Sequence, residues 1–188
     1  MNWLTDNKIP IDDGAEAAFN WLLINAGWLF DGLAAAMEWL IDAILWVLQT
    51  PHPLVIIAVF AGLTWVIQRN LKMPLLIVAG FLFILNQGYW EETTESLTLV
   101  LSACVVCMGV GVPIGIAAAH RPRLYRYMAP VLDLMQTLPT FVYLIPAIVF
   151  FGIGMVPGLI ATVIFVLPAP IRLTQLGIAS TPKELLEA

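Results

Sequence analysis

The sequence predicts an all-α fold, a polytopic helical membrane protein, and three observations lead there. First, 61% of the 188 residues are hydrophobic and only 11% are charged, against roughly 45–50% and about 25% in an average soluble domain. A soluble domain of this length leaves about 30% of its unfolded surface in water, more than so few polar side chains can cover. Second, residues 134–171 carry no charge. As a helix rising 1.5 Å per residue that stretch measures about 57 Å, nearly two bilayer cores of roughly 30 Å. Third, basic clusters alternate with the apolar runs.

Other function classes fall away on the same counts. The two cysteines, Cys104 and Cys107, lie together in an apolar run and build no disulfide framework. Two histidines leave a usual zinc site short of ligands. A net charge of −5 argues against nucleic acid as a partner, since binding it takes basic patches. The acidic N-terminus lacks the basic start of a secretory signal.

Residues 1–50 hold seven acids and one base. On an ideal helix over residues 16–50, Asp31, Glu38 and Asp42 fall within about 40° of one another, and Leu22, Leu29, Leu33, Leu40 and Ile44 gather opposite. Trp21, Trp28, Trp39 and Trp46 align at the boundary. Such a pattern describes helix lying on the outer surface, either one helix or two divided at Gly27 or Gly32. The alternative is a sixth crossing, which buries three acids at roughly 2.5 to 3.5 kcal/mol for each Asp. The tryptophans read as an aromatic belt, with a cation–π cage as the competing reading.

Five crossings follow. Pro53–Gln68 is short but is completed by Arg69 and Lys72, which snorkel. Met73–Tyr89 opens on Pro74, in a first-turn position. Thr94–Ala119 is the third. The uncharged stretch gives the fourth and fifth, divided by the turn-forming Gly152-Ile-Gly154-Met-Val-Pro157-Gly158. Every base after residue 50 (Arg69, Lys72, Arg121, Arg123, Arg126, Arg172, Lys183) falls between or after crossings on one side. The positive-inside rule makes that side cytoplasmic and puts residues 50–53 outside. The last residues, Ser180-Thr-Pro-Lys-Glu-Leu-Leu-Glu-Ala188, read as a capped helix start without an end. They point to a piece of a longer protein.

The chemistry-bearing candidates are few. Cys104-Val-Val-Cys107 reads as small residues for helix packing. Gly109-Val-Gly111-Val-Pro-Ile-Gly115 lacks the Lys-Ser/Thr of a phosphate loop and reads as a small-residue packing face with a kink at Pro113. Asp133 sits at a cytoplasmic helix start, where the dipole favours an anion, at the membrane level of Arg172, its candidate ion-pair partner. Gln136, Thr137, Thr140 and Tyr143 lie in the fourth crossing beside Pro139 and Pro146. Polar groups and interrupted backbone at that depth face either protein or a water-filled cavity. No nucleophile–base pair, paired acids or filter sequence points to an enzyme or a self-contained channel.

The run from Pro130 to Ala179, PVLDLMQTLPTFVYLIPAIVFFGIGMVPGLIATVIFVLPAPIRLTQLGIA, closely resembles the permease subunit of glycine betaine/proline betaine/choline ABC importers. The earlier GVGVPIGIAAAHRPR fits the same pattern, so the resemblance covers residues 50–188. It implies an incomplete type I ABC importer (MetI-like) transmembrane domain over 51–188, after an acidic, periplasmic or interfacial extension over 1–50. It further implies a multi-pass protein of the bacterial inner membrane, working as a homodimer with a second permease copy. The other partners are a cytoplasmic ABC ATPase and a periplasmic substrate-binding protein. The chain would be no enzyme and hold no cofactor, with ATP and Mg in the ATPase subunit. Glu187-Ala188 match the first two positions of the family's E-A-A/S-x-x-x-G coupling pattern, which implies ATPase contact through Glu184, Leu185, Glu187 and Ala188. Gln136, Thr137, Thr140 and Tyr143 would line the path, Tyr143 offering a π face to a quaternary ammonium. The alternatives are a related importer for another osmolyte or amino acid, or an osmotic channel working without ATP.

Overall fold

The structure is a computed structural model that describes residues 11–181. Every element among them is helical: α1 (Ile11–Gln49), α2 (Pro53–Gln68), α3 (Lys72–Asn86), α4 (Trp90–His120), α5 (Pro122–Thr137), α6 (Phe141–Phe151), α7 (Met155–Val166) and α8 (Pro168–Ala179). By length and composition, α4 and the continuous Met155–Ala179 rod can each cross a membrane. α1–α2 and α5–α6 qualify only as bent pairs, and α3 is a shorter apolar helix.

α1 runs unbroken through Gly27 and Gly32, the single helix of the two expected alternatives. A single internal glycine costs only about 1 kcal/mol relative to alanine and supplies no stop. The stop comes from Pro51 and Pro53. His52 caps the next helix, its Nδ1 accepting from Leu54 N–H at 3.3 Å, and Pro53 opens it. The chain turns by 95° there. α2 then keeps the expected bounds and ends on Arg69, whose left-handed backbone (φ 48°) reverses the chain toward α3.

The face that α1 buries differs from the leucine-rich one. Met37, Ile41 and Leu48 are buried, with Ala34, Ile44 and Leu45 packed beside them. Their mean direction lies roughly 80° from that of the leucines on a helical wheel. Leu22, Leu29 and Leu33 stay exposed. The four tryptophans stand about 160° away from the packed stripe and are 63–75% exposed. Met37 and Ile41 share a cluster with Ala103 of α4 and Val156 and Leu159 of α7. Leu48 joins Ile56, Ile57 and Trp90 in a second. Periodicity fixes that a helix has faces; which face is covered depends on the neighbours.

α4 is the axis of the molecule. Its buried stripe begins with hydroxyls and ends with glycines: Thr94, Thr98, Ser102, Cys107, Gly111, Gly115, Ala118. Thr98 Oγ1 donates to Thr94 O at 2.8 Å, and Gln49 Nε2 of α1 donates to Thr94 Oγ1 at 2.9 Å. Helices in lipid gain little from hydrophobicity and hold together by close packing. The glycine half shows this against α8. A Cβ on Gly111 would stand 2.7 Å from Pro170 Cγ, and one on Gly115 would stand 2.7 Å from Thr174 Cβ and 2.8 Å from Ile171 O. Gly109 meets nothing within 4 Å, so the expected packing face is the Gly111/Gly115 pair alone. Of the cysteines, Cys104 is exposed and Cys107 is buried against Val163 O.

The expected fourth crossing is corrected. It is two helices, α5 and α6, meeting at 91°. Pro139 has no N–H and its ring excludes the carbonyl four residues back, which ends α5. Leu138, preceding the proline, is driven to extended backbone (φ −78°, ψ 137°). α6 ends on Gly152 at φ 77°, a backbone conformation that favours glycine. The fifth helix runs further than expected, through Leu167 to Ala179.

Candidate functional site: the bent joint between α5 and α6

The joint is Leu138-Pro139-Thr140, with the polar residues of the sequence gathered around it. Val142 N–H bonds to Pro139 O at 2.9 Å, and the N–H groups of Tyr143 and Leu144 both reach Thr140 O at 3.1 Å, so α6 starts at once. Across the break, Tyr143 Oη donates to Met135 O at 3.2 Å and reaches Leu134 O at 3.3 Å. One hydroxyl proton is thus shared between Met135 O, whose helical donor position is taken by Pro139 without an N–H, and Leu134 O, which also accepts from Leu138 N–H at 3.3 Å. Thr137 Oγ1 also donates to Leu134 O, at 3.1 Å. The half-buried Tyr143 ties the two helices at their bend, and its ring is held by that bond.

The four expected path residues do not share one surface. Thr140 lines a cavity of about 230 Å³ between the joint and α7, together with Phe141, Leu144, Gly158, Ala161 and Thr162. Gln136 and Thr137 are exposed on α5. The α7 side of this cavity was not read from the sequence. Gly158 and Thr162 are one helical turn apart, and Thr162 Oγ1 donates back to Gly158 O at 2.8 Å. That spacing was the available signal, but only the bend shows what α7 faces.

Asp133 and Arg172 come together. Arg172 Nη2 donates to Asp133 Oδ1 at 2.5 Å, linking α5 to α8. The arginine side chain is 33% exposed and the aspartate 63%. A pair this open contributes about 0–1 kcal/mol in water, so it orients more than it stabilises. Glu184, Leu185, Glu187 and Ala188 lie outside the described residues. A second cavity, of about 160 Å³, lies between Glu38, Ile41 and Asp42 of α1 and the α6–α7 turn at Phe151–Pro157. Among the described residues no group of three or more His, Cys, Asp or Glu gathers to hold a metal.

This arrangement, a helix broken at a proline with polar groups at the break, occurs where backbone lines a protein-enclosed or water-filled path. Residues 111–188 match the family of binding-protein-dependent transport system inner membrane components. The chain is 47% identical over 150 residues to a glycine betaine/carnitine transport permease protein of Listeria monocytogenes, covering 78% of this chain and 53% of the relative. It is 48% identical over 130 residues to a glycine betaine transport system permease protein of Bacillus subtilis, covering 69% and 46%. It is 44% identical over 141 residues to a glycine betaine/proline betaine transport system permease protein of Escherichia coli, covering 75% and 39%. The chain therefore spans about half the length of the curated relatives it matches. It is a multi-pass helical membrane protein related to transport permeases.

Proposed function

We propose that this permease chain forms part of the membrane path of an ATP-driven importer for quaternary ammonium osmolytes, in the bacterial inner membrane. The carrying observation is the 91° joint at Pro139, with Thr140 on a cavity and Tyr143 bridging the break. A solute whose nitrogen carries no N–H asks for shape and electron-rich surfaces rather than acceptors aimed at donors. The cavity wall is mostly apolar, with Phe141 as its aromatic member and Thr140 and Thr162 as its hydroxyls. The relatives are named for glycine betaine, proline betaine and carnitine, which supports betaines as the solutes. Choline is the expectation that the resemblance adds.

In this reading two permease copies stand on two cytoplasmic ATPases, which hold ATP and Mg, and a periplasmic binding protein delivers the solute. The residues after Ala179, with Glu184, Leu185, Glu187 and Ala188, meet the ATPase. Closure of the ATPases rocks the helices between outward and inward access. Residues 1–50 form an outer-side extension.

The test uses the intact gene and its neighbours. The permease is deleted, and uptake of labelled choline and glycine betaine is followed with and without an energy poison. Loss of energy-dependent uptake of either solute supports the importer and names its substrate. Unchanged uptake of both overturns the substrate class. Uptake that is lost on deletion but indifferent to the poison favours a channel.

A further inference from the structure

We infer that Asp133 and Arg172 are positioning residues through which α8 moves the α5–α6 joint. The inference rests on the permease reading, and it goes beyond it by naming a link in the chain of motion.

α8 is fixed to α4. The contacts of Gly111 and Gly115 with Pro170, Ile171 and Thr174 bracket Arg172 on both sides. Ile171 is 1% exposed and Pro168 is fully buried. Interdigitated surfaces of this kind move as one body, because packed interfaces shift between discrete arrangements rather than deform. α8 is also the last helix before residues 182–188, the segment assigned to ATPase contact.

α5 is held differently. Of its sixteen residues only Leu132 is buried, so little apolar surface anchors it. Its far end is the bend, and the carbonyls that receive the Tyr143 hydroxyl belong to Leu134 and Met135, directly after Asp133. The turn of α5 that carries Asp133 thus also carries the staple to α6. A displacement of Asp133 is a displacement of the joint and of Thr140 at the cavity.

α5 touches α4, α7 and α8 along its side, but its charged tie to α8 is one ion pair, the single one among the described residues. It is made by one guanidinium nitrogen. Arg172 Nε is buried and has no partner, so the pair is not the bidentate fork that fixes orientation. A one-point tie transmits a pull while allowing α5 to pivot about it. That combination suits a lever and serves poorly as a brace.

The test uses the full-length permease with its ATPase and binding protein in liposomes, reading labelled glycine betaine uptake and ATP hydrolysis together. Asp133→Asn and Arg172→Gln should each lower solute moved per ATP by about fivefold, at the lower end of the roughly 5- to 150-fold range of coupling between sites. Assembly of the complex and hydrolysis without solute should hold. Arg172→Lys, which keeps the charge and can still make a one-point tie, should retain most uptake. The exchanged pair, Asp133→Arg with Arg172→Asp, should recover uptake relative to either single exchange. Unchanged solute per ATP in Asp133→Asn and Arg172→Gln overturns the inference while leaving the permease reading intact. So does equal loss in Arg172→Lys and Arg172→Gln. A wild-type complex that hydrolyses ATP but moves no glycine betaine overturns the permease reading, and this inference with it.

Discussion

The hydroxyl of Tyr143 reaches across a 91° helix break to the carbonyl of Met135, 3.2 Å away. This gives a residue valued in the sequence for its ring a second duty, as the bond that closes the bend. The two duties separate by mutation. Tyr143→Phe keeps the ring and removes the bond, which contributes about 1 kcal/mol, and uptake should fall by roughly fivefold. Tyr143→Ala removes both and should fall further. Uptake at wild-type level in the Phe variant, measured with labelled betaine, would assign the role to the ring alone.

The α4–α8 contact predicts a contrast between neighbouring glycines. Gly115→Ala forces a methyl against Thr174 Cβ and the Ile171 carbonyl, an overpacking that costs about 1–3 kcal/mol. Gly109→Ala meets nothing within 4 Å and gains helix propensity. Thermal unfolding of the purified protein in detergent should show a lower midpoint for the first variant and an unchanged or higher one for the second. Equal midpoints would refute the close approach.

Gly158 lines the joint cavity, yet a Cβ added there touches nothing within 4 Å. Gly158→Leu should therefore leave folding intact and occupy the cavity. Uptake should drop by at least about tenfold, the effect of roughly 1.4 kcal/mol, with membrane abundance unchanged. Gly158→Ala should have a smaller effect. Full transport by the leucine variant would remove this cavity from the path.

Sidedness follows from the bases. A cysteine at His52 should react with a membrane-impermeant thiol reagent from the periplasmic side, and cysteines at Arg69 and Arg123 only from the cytoplasmic side. A cysteine at Asp31 should react from outside if residues 1–50 are an outer extension. Reaction at Asp31 from inside would make α1 a crossing instead. Cys104 and Cys107 are replaced first, since Cys104 is exposed.

Composition, the uncharged run and the spacing of bases determined the all-α membrane class, because a bilayer filters sequences by hydropathy and charge over long windows. Prolines set several boundaries for an equally local reason: Pro53 opens α2, and Pro139 ends α5 through its missing N–H. The Pro130–Ala179 motif by itself points to the transport family. The tertiary structure decided what depends on neighbours. It chose Met37, Ile41 and Leu48 over the leucine face of α1, and Gly111 and Gly115 over Gly109. It bent the fourth crossing into two helices, put Thr140 on a cavity with α7, and turned the Tyr143 hydroxyl back onto α5. It also joined Asp133 to Arg172, 39 positions later in the chain. A periodic pattern says which residues share a side of a helix, and a proline says where a helix stops. The direction the chain takes after the stop, and the surface each side then meets, are set by packing among segments far apart in sequence.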